Sequence, residues 1–264
     1  MELNKNERID DLEINNMKII QNKEGFCFGI DSVLLSDFAK GIKDNSKCVD
    51  LGTGTGILGI LLCAKTNLSE IVGVEIQEEV ADMAKRSIKL NNLENRFKII
   101  NINLKEIIDK KNNEEIDDLN KNKIKNYLEK NSFDYVITNP PYKKINTGKI
   151  NENKKQLISR HEITANLNDF IKTANYLLKD KGTLFMVHRP DRLADILEEM
   201  RKQKIEPKEI KFVYPKINKE PNLILIKGIK NARPFLKIDK PIYVYNEDGE
   251  YTDEILKIYN KEVK

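Results

Sequence analysis

The stretch FDYVITNPPYKK, Phe133 to Lys144, runs an apolar segment into Asn139, Pro140, Pro141 and Tyr142. Two prolines end a strand, because neither has an N–H to give to the ladder. What stands at the strand end is a side-chain amide, a stiff pair of backbone carbonyls and one aromatic face. A second constellation lies upstream, in VDLGTGTGILG, Val49 to Gly59. Gly54, Gly56 and Gly59 spell the GxGxxG dinucleotide pattern, a weak signal alone. The turn also reads Asp50-Leu51-Gly52-Thr53-Gly54-Thr55-Gly56, an acidic residue followed by three alternate glycines. That form suits a ligand with a cationic amino-acid end better than a pyrophosphate. A carboxylate at Asp50 meets an ammonium directly or through water, and the glycines let the backbone approach the ligand. Further on, GVEIQ places Glu75 at a strand end, where a carboxylate accepts both ribose hydroxyls of an adenosine. Ile76 would then lie against the adenine.

These groups need a scaffold that brings strand ends together. The pattern along the chain is strand, helix, strand, helix. Strands are expected at Lys47–Leu51, Glu70–Ile76, Phe97–Ile102, Phe133–Thr138 and Thr183–His188, then at Glu209–Tyr214 and Asn222–Lys230 with no helix between. Helices are expected from about Ile57, over Glu78–Asn92, Leu167–Lys179 and Asp191–Lys202. Alternation of this kind implies an α/β fold with a parallel sheet, whose open end holds ligands beyond the carboxyl ends of the strands. The last two strands read as an antiparallel hairpin at the sheet edge. Residues 105–131 read as a charged, Asn-rich, partly helical surface insertion, and residues 143–166 as a lysine-rich loop.

Composition bounds the class. The chain has 264 residues, 39% hydrophobic and 33% charged, enough for a core of one large α/β domain. No apolar run approaches bilayer length, and the polar N-terminus is no secretory signal, so a cytoplasmic protein is expected. Cys27, Cys48 and Cys63 form no CxxC pair, which argues against both a zinc site and a disulfide framework. His161 and His188 are the only histidines, and no metal is expected. Charge is uneven: residues 142–264 carry 26 Lys/Arg against 18 Asp/Glu, and residues 1–141 carry 20 against 24. A basic C-terminal half is compatible with a phosphate backbone as partner.

Asp50–Gly56, Glu75 and Asn139–Tyr142 together resemble the class I S-adenosylmethionine (SAM)-dependent methyltransferases that act on nitrogen. The resemblance implies a Rossmann-like fold, with a seven-stranded, mostly parallel sheet whose last strand is antiparallel, and SAM as cofactor. It also implies roles. The Asn139 side-chain oxygen and the Pro140 carbonyl would hold a planar NH2 group, Pro141 would stiffen the turn, and Tyr142 would stack on the target. An acidic residue is usual after the third strand to take the adenine amino group; here Asn103-Leu104 stands there, so the carbonyl acceptor remains and the charge is lost.

EGFCFGIDSVLLSDFA (Glu24–Ala39), SRHE (Ser159–Glu162), VHRPDRLADIL (Val187–Leu197) and DGEYTDEILKIY (Asp248–Tyr259) are similar to the bacterial family that methylates N6 of adenine-37 in valine tRNA. By that likeness, residues 1–45 form a strand and helix packed over the cofactor, and residues 46–264 form the methyltransferase domain. Phe28, Gly29 and Asp31 would then lie near SAM, although Asp31 equally suits the cap of a Ser32–Phe38 helix. Lys143, Lys144, Lys149, Lys154, Lys155, Arg160, His161, Arg189 and Arg192 are candidates for contacts to tRNA. Glu162 belongs with Arg160 and His161 as a loop-ordering candidate. A monomer acting on tRNA is expected. The alternatives are a glutamine-N5 methyltransferase of a release factor and an RNA-binding module with a vestigial SAM pocket.

Overall fold

The computed structural model describes residues 3–24, 29–108, 117–142 and 165–261. Its centre is strand β3 (Lys47–Leu51), flanked by β4 (Glu70–Glu75) on one side and β6 (Phe133–Thr138) on the other. Strand β5 (Phe97–Asn101) lies outside β4, and β7 (Leu178–His188) outside β6, all parallel. Successive strands leave β3 in opposite directions, which opens a crevice at the carboxyl ends between β3 and β6.

Helices α2 (Ile57–Lys65) and α3 (Glu78–Leu90) cover one face, with α1 (Ile30–Phe38) and α8 (Asp253–Ile258). Helices α4 (Leu104–Ile108), α6 (Leu167–Leu177) and α7 (Leu193–Lys202) cover the other. Helix α5 (Asp118–Tyr127) lies on the rim and buries no residue fully. Both faces being covered explains why the central strands read as continuous apolar runs. Cys48 and Ile71 enter one core, Val49, Leu51, Val72 and Val74 the other.

The expected terminal hairpin is present, as β8 (Ile205–Tyr214) and β9 (Leu223–Lys230). Strand β9 inserts between β7 and β8, antiparallel to both. Two two-residue strands, β10 (Lys237–Ile238) and β11 (Ile242–Tyr243), add to β8, so among the described residues the sheet has nine strands rather than seven. They cover what would otherwise be an open edge. Strand β7 starts at Leu178, earlier than Thr183, because Leu178 pairs with Phe133 across a register shift. Lys230 holds that irregularity, donating to Asn131 Oδ1 (2.8 Å) and to the carbonyls of Asn175 (2.5 Å) and Leu178 (2.7 Å). Helix α7 begins after a single 3-10 turn, Pro190–Arg192.

Ahead of β3 the chain forms two strands, not one: β1 (Glu7–Asp11) and β2 (Lys18–Asn22) pair antiparallel. The hairpin docks on α3 through side chains that satisfy the free edge of β2. Ser87 Oγ accepts from Ile20 N (2.9 Å), and Asn91 both accepts from Lys18 N (2.9 Å) and donates to Lys18 O (2.7 Å). Arg86 clamps the buried Glu7 with both terminal nitrogens, at 2.5 and 2.7 Å. That guanidinium holds the Glu7 carboxyl down to a pKa of about 2. No helix among the described residues is long and apolar enough to cross a membrane.

Candidate active site

The glycine turn leaves β3 with φ of +71° at Gly52, +59° at Gly54 and +89° at Gly56, conformations that L side chains rarely adopt. The three positions differ in surroundings. A Cβ at Gly52 would press on the Phe170 ring at 3.1 Å and one at Gly56 on Phe97 at 3.4 Å, whereas one at Gly54 would meet nothing within 4 Å. Gly52 and Gly56 therefore serve packing and chain reversal, and Gly54 fronts open space. The backbone N–H groups of Gly52 and Thr53 donate to Val74 O, which pins the turn to the end of β4.

Asp50 sits in β3 with no exposed surface. Thr53 donates its hydroxyl to Oδ2 at 2.6 Å, while Oδ1 has no partner. Burial pushes the Asp50 pKa up to about 7; the Thr53 bond works the other way, and the Glu75 charge adds to the rise. Glu75, also buried, accepts from Gly54 N at 3.0 Å and from Gln77 N at 2.9 Å, one bond to each oxygen. Each carboxylate oxygen keeps a second lone pair. Ile76 is half-buried, and Asn101 Nδ2 donates to the carbonyls of Glu75 (2.9 Å) and Ile76 (3.0 Å). Asn103 accepts from Lys105 N at 3.1 Å, at the start of α4, and Leu104 is buried in the core under that helix.

The Asn139-Pro140-Pro141-Tyr142 turn leaves β6 beside the glycine turn. Leu51 pairs with Thr138, and the Thr138 hydroxyl donates to Leu51 O at 2.8 Å. Pro140 is buried and Pro141 exposed. Asn139 Nδ2 donates to Asp31 Oδ2 at 3.0 Å. The Tyr142 hydroxyl lies 2.9 Å from the same Asp31 oxygen and 2.5 Å from Asn139 Oδ1. Burial, with the Asp31 charge adding to it, raises the Tyr142 pKa, so the phenol stays protonated.

Asp31 does not cap a Ser32–Phe38 helix. Helix α1 starts at Ile30 with Gly29 as N-cap residue, and Asp31 is its second residue. The N-cap residue is a glycine, and no side chain caps the helix there. A Cβ at Gly29 would come within 2.9 Å of Asp31 Oδ1.

His188 completes the site and was not singled out by sequence reasoning. It ends β7, packs edge-on to Tyr142 with ring centroids 5.1 Å apart, and accepts from Arg189 N at 2.8 Å through Nδ1. Burial lowers its pKa to about 4, so the ring is neutral. The one signal for it was position, since His188 ends the strand next to the one that carries Asn139. The Arg189 guanidinium lies 5.7 Å from the Tyr142 ring centroid, and Arg192 pairs with Asp195 at 2.6 Å. Phe28, Lys143, Lys144, Lys149, Lys154, Lys155, Arg160, His161 and Glu162 lie outside the described residues.

The residues present fit SAM. An orphan buried carboxylate oxygen, open space over one left-handed glycine and a second carboxylate with spare lone pairs match a cation, a close-lying chain and a diol in turn.

Comparison with known proteins bears on the family and the fold. Residues 69–219 match the family described as Eco57I restriction-modification methylase. The tRNA1(Val) (adenine(37)-N6)-methyltransferase of Porphyromonas gingivalis is 25% identical over 200 residues, which cover 75% of this chain and 72% of that protein. The protein of the same name from Haemophilus influenzae is 23% identical over 243 residues, 91% and 92% of the two chains. Among solved structures, a predicted O-methyltransferase from Agrobacterium tumefaciens superposes with a TM-score of 0.65 at 21% identity, covering 87% of this chain and 95% of its own. M. jannaschii TYW2 in complex with AdoMet gives 0.53 at 14% identity, covering 87% and 88%. These likenesses show the Rossmann-like methyltransferase fold.

Proposed function

The chain belongs to the Eco57I restriction-modification methylase family, and from that premise we propose that it uses SAM to methylate N6 of an adenine in tRNA, adenine-37 of valine tRNA. The observation that carries the reading is the 2.8 Å bond from Thr138 to Leu51 O. It joins the end of the amide-bearing strand to the start of the glycine turn, so the residues that would hold the cofactor and the amide that would hold the amine sit on adjacent strand ends. The relatives' names supply the substrate.

An exocyclic adenine nitrogen is a poor nucleophile because its lone pair is delocalised into the ring. Asn139 Oδ1 and the Pro140 carbonyl accept its two N–H groups and draw the nitrogen toward tetrahedral geometry. The lone pair then points at the electrophile. The prolines fix φ, so the carbonyl stays aimed. The Tyr142 ring stacks on the base, backed by the edge of His188. When bound, SAM supplies an electrophilic methyl on a sulfonium. Glu75 would hold its ribose and Asp50 its ammonium end, and Gly54 would let the backbone lie near it. Orientation is the main lever; the product nitrogen sheds its proton to water. A loop base is splayed out at modest cost. In this reading residues 1–45 pack against the cofactor site, with Gly29 beside it and Asp31 turned to the Asn139 amide, and residues 46–264 form the catalytic domain. The protein works as a cytoplasmic monomer without a metal. Arg189, flanking Tyr142, and Arg192 contact phosphates.

Labelled SAM incubated with total tRNA is expected to yield N6-methyladenosine in the RNA. Label in protein would point to glutamine-N5 transfer, label in DNA to a DNA methylase, and RNA binding without transfer to a module; each overturns the proposal. Asn139→Ala is expected to lower kcat by roughly two or more orders of magnitude with SAM affinity nearly unchanged, since Asn139 acts on the transition state. Equal loss of SAM binding would remove Asn139 from that role.

A further inference from the structure

Asp31 makes contacts that neither a helix cap nor a cofactor ligand requires. Its Oδ1 accepts from Ser32 N at 3.0 Å. Its Oδ2 accepts from Asn139 Nδ2, 108 residues away, and lies 2.9 Å from the Tyr142 hydroxyl, 111 residues away. Asp31 is 8% exposed, so water does not compete freely for its carboxylate. A carboxylate has no proton to give, so the NH2 end of the Asn139 amide must face it. That leaves Asn139 Oδ1 on the other side, where the Tyr142 hydroxyl meets it. The hydroxyl has one proton for two acceptors.

We infer that Asp31 is the positioning residue of the transfer reaction: it fixes which end of the Asn139 amide is offered to the substrate amine, and it takes the Tyr142 hydroxyl bond when that amine claims Asn139 Oδ1. Without a substrate, Tyr142 donates to Asn139 Oδ1, and Asp31 Oδ2 accepts from Asn139 Nδ2 alone. When an amine N–H arrives at Asn139 Oδ1, the Tyr142 O–H rotates to Asp31 Oδ2. No covalent bond changes, and no buried donor or acceptor is stranded, an outcome that would cost about 1–3 kcal/mol. Gly29 packs against the device, since a Cβ there would lie 2.9 Å from Asp31 Oδ1 and the carboxylate would have to shift. The inference rests on the methyltransferase reading for its consequence in catalysis, but the orientation of the amide is independent of it.

The test uses the full chain labelled with 15N. The side-chain NH2 signal of Asn139, assigned by its loss in Asn139→Ala, is expected to shift and to exchange faster in Asp31→Ala. Asp31→Asn, which keeps an acceptor oxygen, is expected to hold an intermediate position and covers the case in which the alanine variant fails to fold. In methyl transfer, Asp31→Ala is expected to lower kcat about 10- to 100-fold, as a misaimed reacting group does. SAM affinity should change less than about threefold, with partial recovery in Asp31→Asn. In a Tyr142→Phe background the loss from Asp31→Ala is expected to shrink, since no hydroxyl then needs a second acceptor. An Asn139 signal unmoved by either variant overturns the inference, as does loss of SAM affinity with kcat intact. A wild-type protein that transfers no methyl to RNA would instead defeat the functional reading, and the NH2 signal would still decide the role of Asp31.

Discussion

Ionising Asp50 in the free protein leaves a charge with no exposed surface, one hydrogen bond and one bare oxygen. A ligand that brings an ammonium to that oxygen reverses the balance, so binding and ionisation are coupled. With a pKa of about 7 in the free protein, the ionised fraction rises about eightfold between pH 6 and pH 7.5. SAM affinity measured by titration calorimetry is expected to rise by about the same factor over that interval. Asp50→Asn is expected to bind more weakly at pH 7.5 and to show little pH dependence; a variant as pH-dependent as the wild type would show that another group titrates. The positions of Asp50, Glu75 and Asn139 at the ends of β3, β4 and β6 were legible in the sequence because glycines or prolines follow, or an apolar run stops, at each. The partner of Asn139 was not legible. The 108 residues between Asp31 and Asn139 leave no periodic trace, and an Asp before an apolar helix satisfies the capping rule equally well.

Strand and helix positions followed the pattern wherever burial on both faces leaves a turn as the sole boundary. Lys47–Leu51 and Phe133–Thr138 match their expected bounds residue for residue. The misses lie where long-range pairing outweighs local preference. Strand β7 runs back to Leu178 because Phe133 pairs with it, and β10 and β11 exist only because β8 offers an edge. GxGxxG also divides once the elements are in place. Gly54 fronts open space, but a Cβ at Gly59 would lie 2.2, 2.3 and 2.8 Å from three atoms of the Phe97 ring, which is 1% exposed. That glycine fixes how closely α2 lies on β5. Gly59→Ala is therefore expected to destabilise the protein by about 1–3 kcal/mol through overpacking, read as a lower urea midpoint. Phe97→Leu added to it should recover part of the loss. A single variant as stable as wild type would mean that the ring yields freely and the close approach is not a constraint.

Across the whole chain, charge falls differently from the division at residue 142. Residues 201–240 alone hold 12 Lys/Arg against 4 Asp/Glu, which equals the entire basic excess of the C-terminal half. They build the β8, β9 and β10 side of the sheet, where Lys211 and Lys237 share Asp239, and Arg201 pairs with Glu206.

Two buried groups at the site dominate the expected pH dependence of stability. His188 has its pKa lowered from 6.5 to about 4, mainly by burial. The unfolded chain therefore binds the proton first, and stability is lost as pH falls from 6.5 to 4, by on the order of 3 kcal/mol. Asp50 is raised from 3.8 to about 7, so its native state holds the proton more tightly. Its contribution is lost as pH rises from 3.8 through 7, by on the order of 4 kcal/mol. Between pH 4.5 and 6.5 the two slopes oppose and nearly cancel, and above 6.5 only the Asp50 loss remains. The carboxyls whose pKa is held near 2, Glu7 and Asp239, act below pH 4.5 and stay out of this window. Urea midpoints of the ligand-free protein are thus expected to be nearly level from pH 4.5 to 6.5 and somewhat lower at pH 8. Asp50→Asn removes one slope, so its stability should climb by about 2–3 kcal/mol from pH 4.5 to 6.5 and then stay flat to pH 8. Parallel curves for variant and wild type would mean that the Asp50 carboxyl is not perturbed by burial, and the coupling between its ionisation and ligand binding would fall with it.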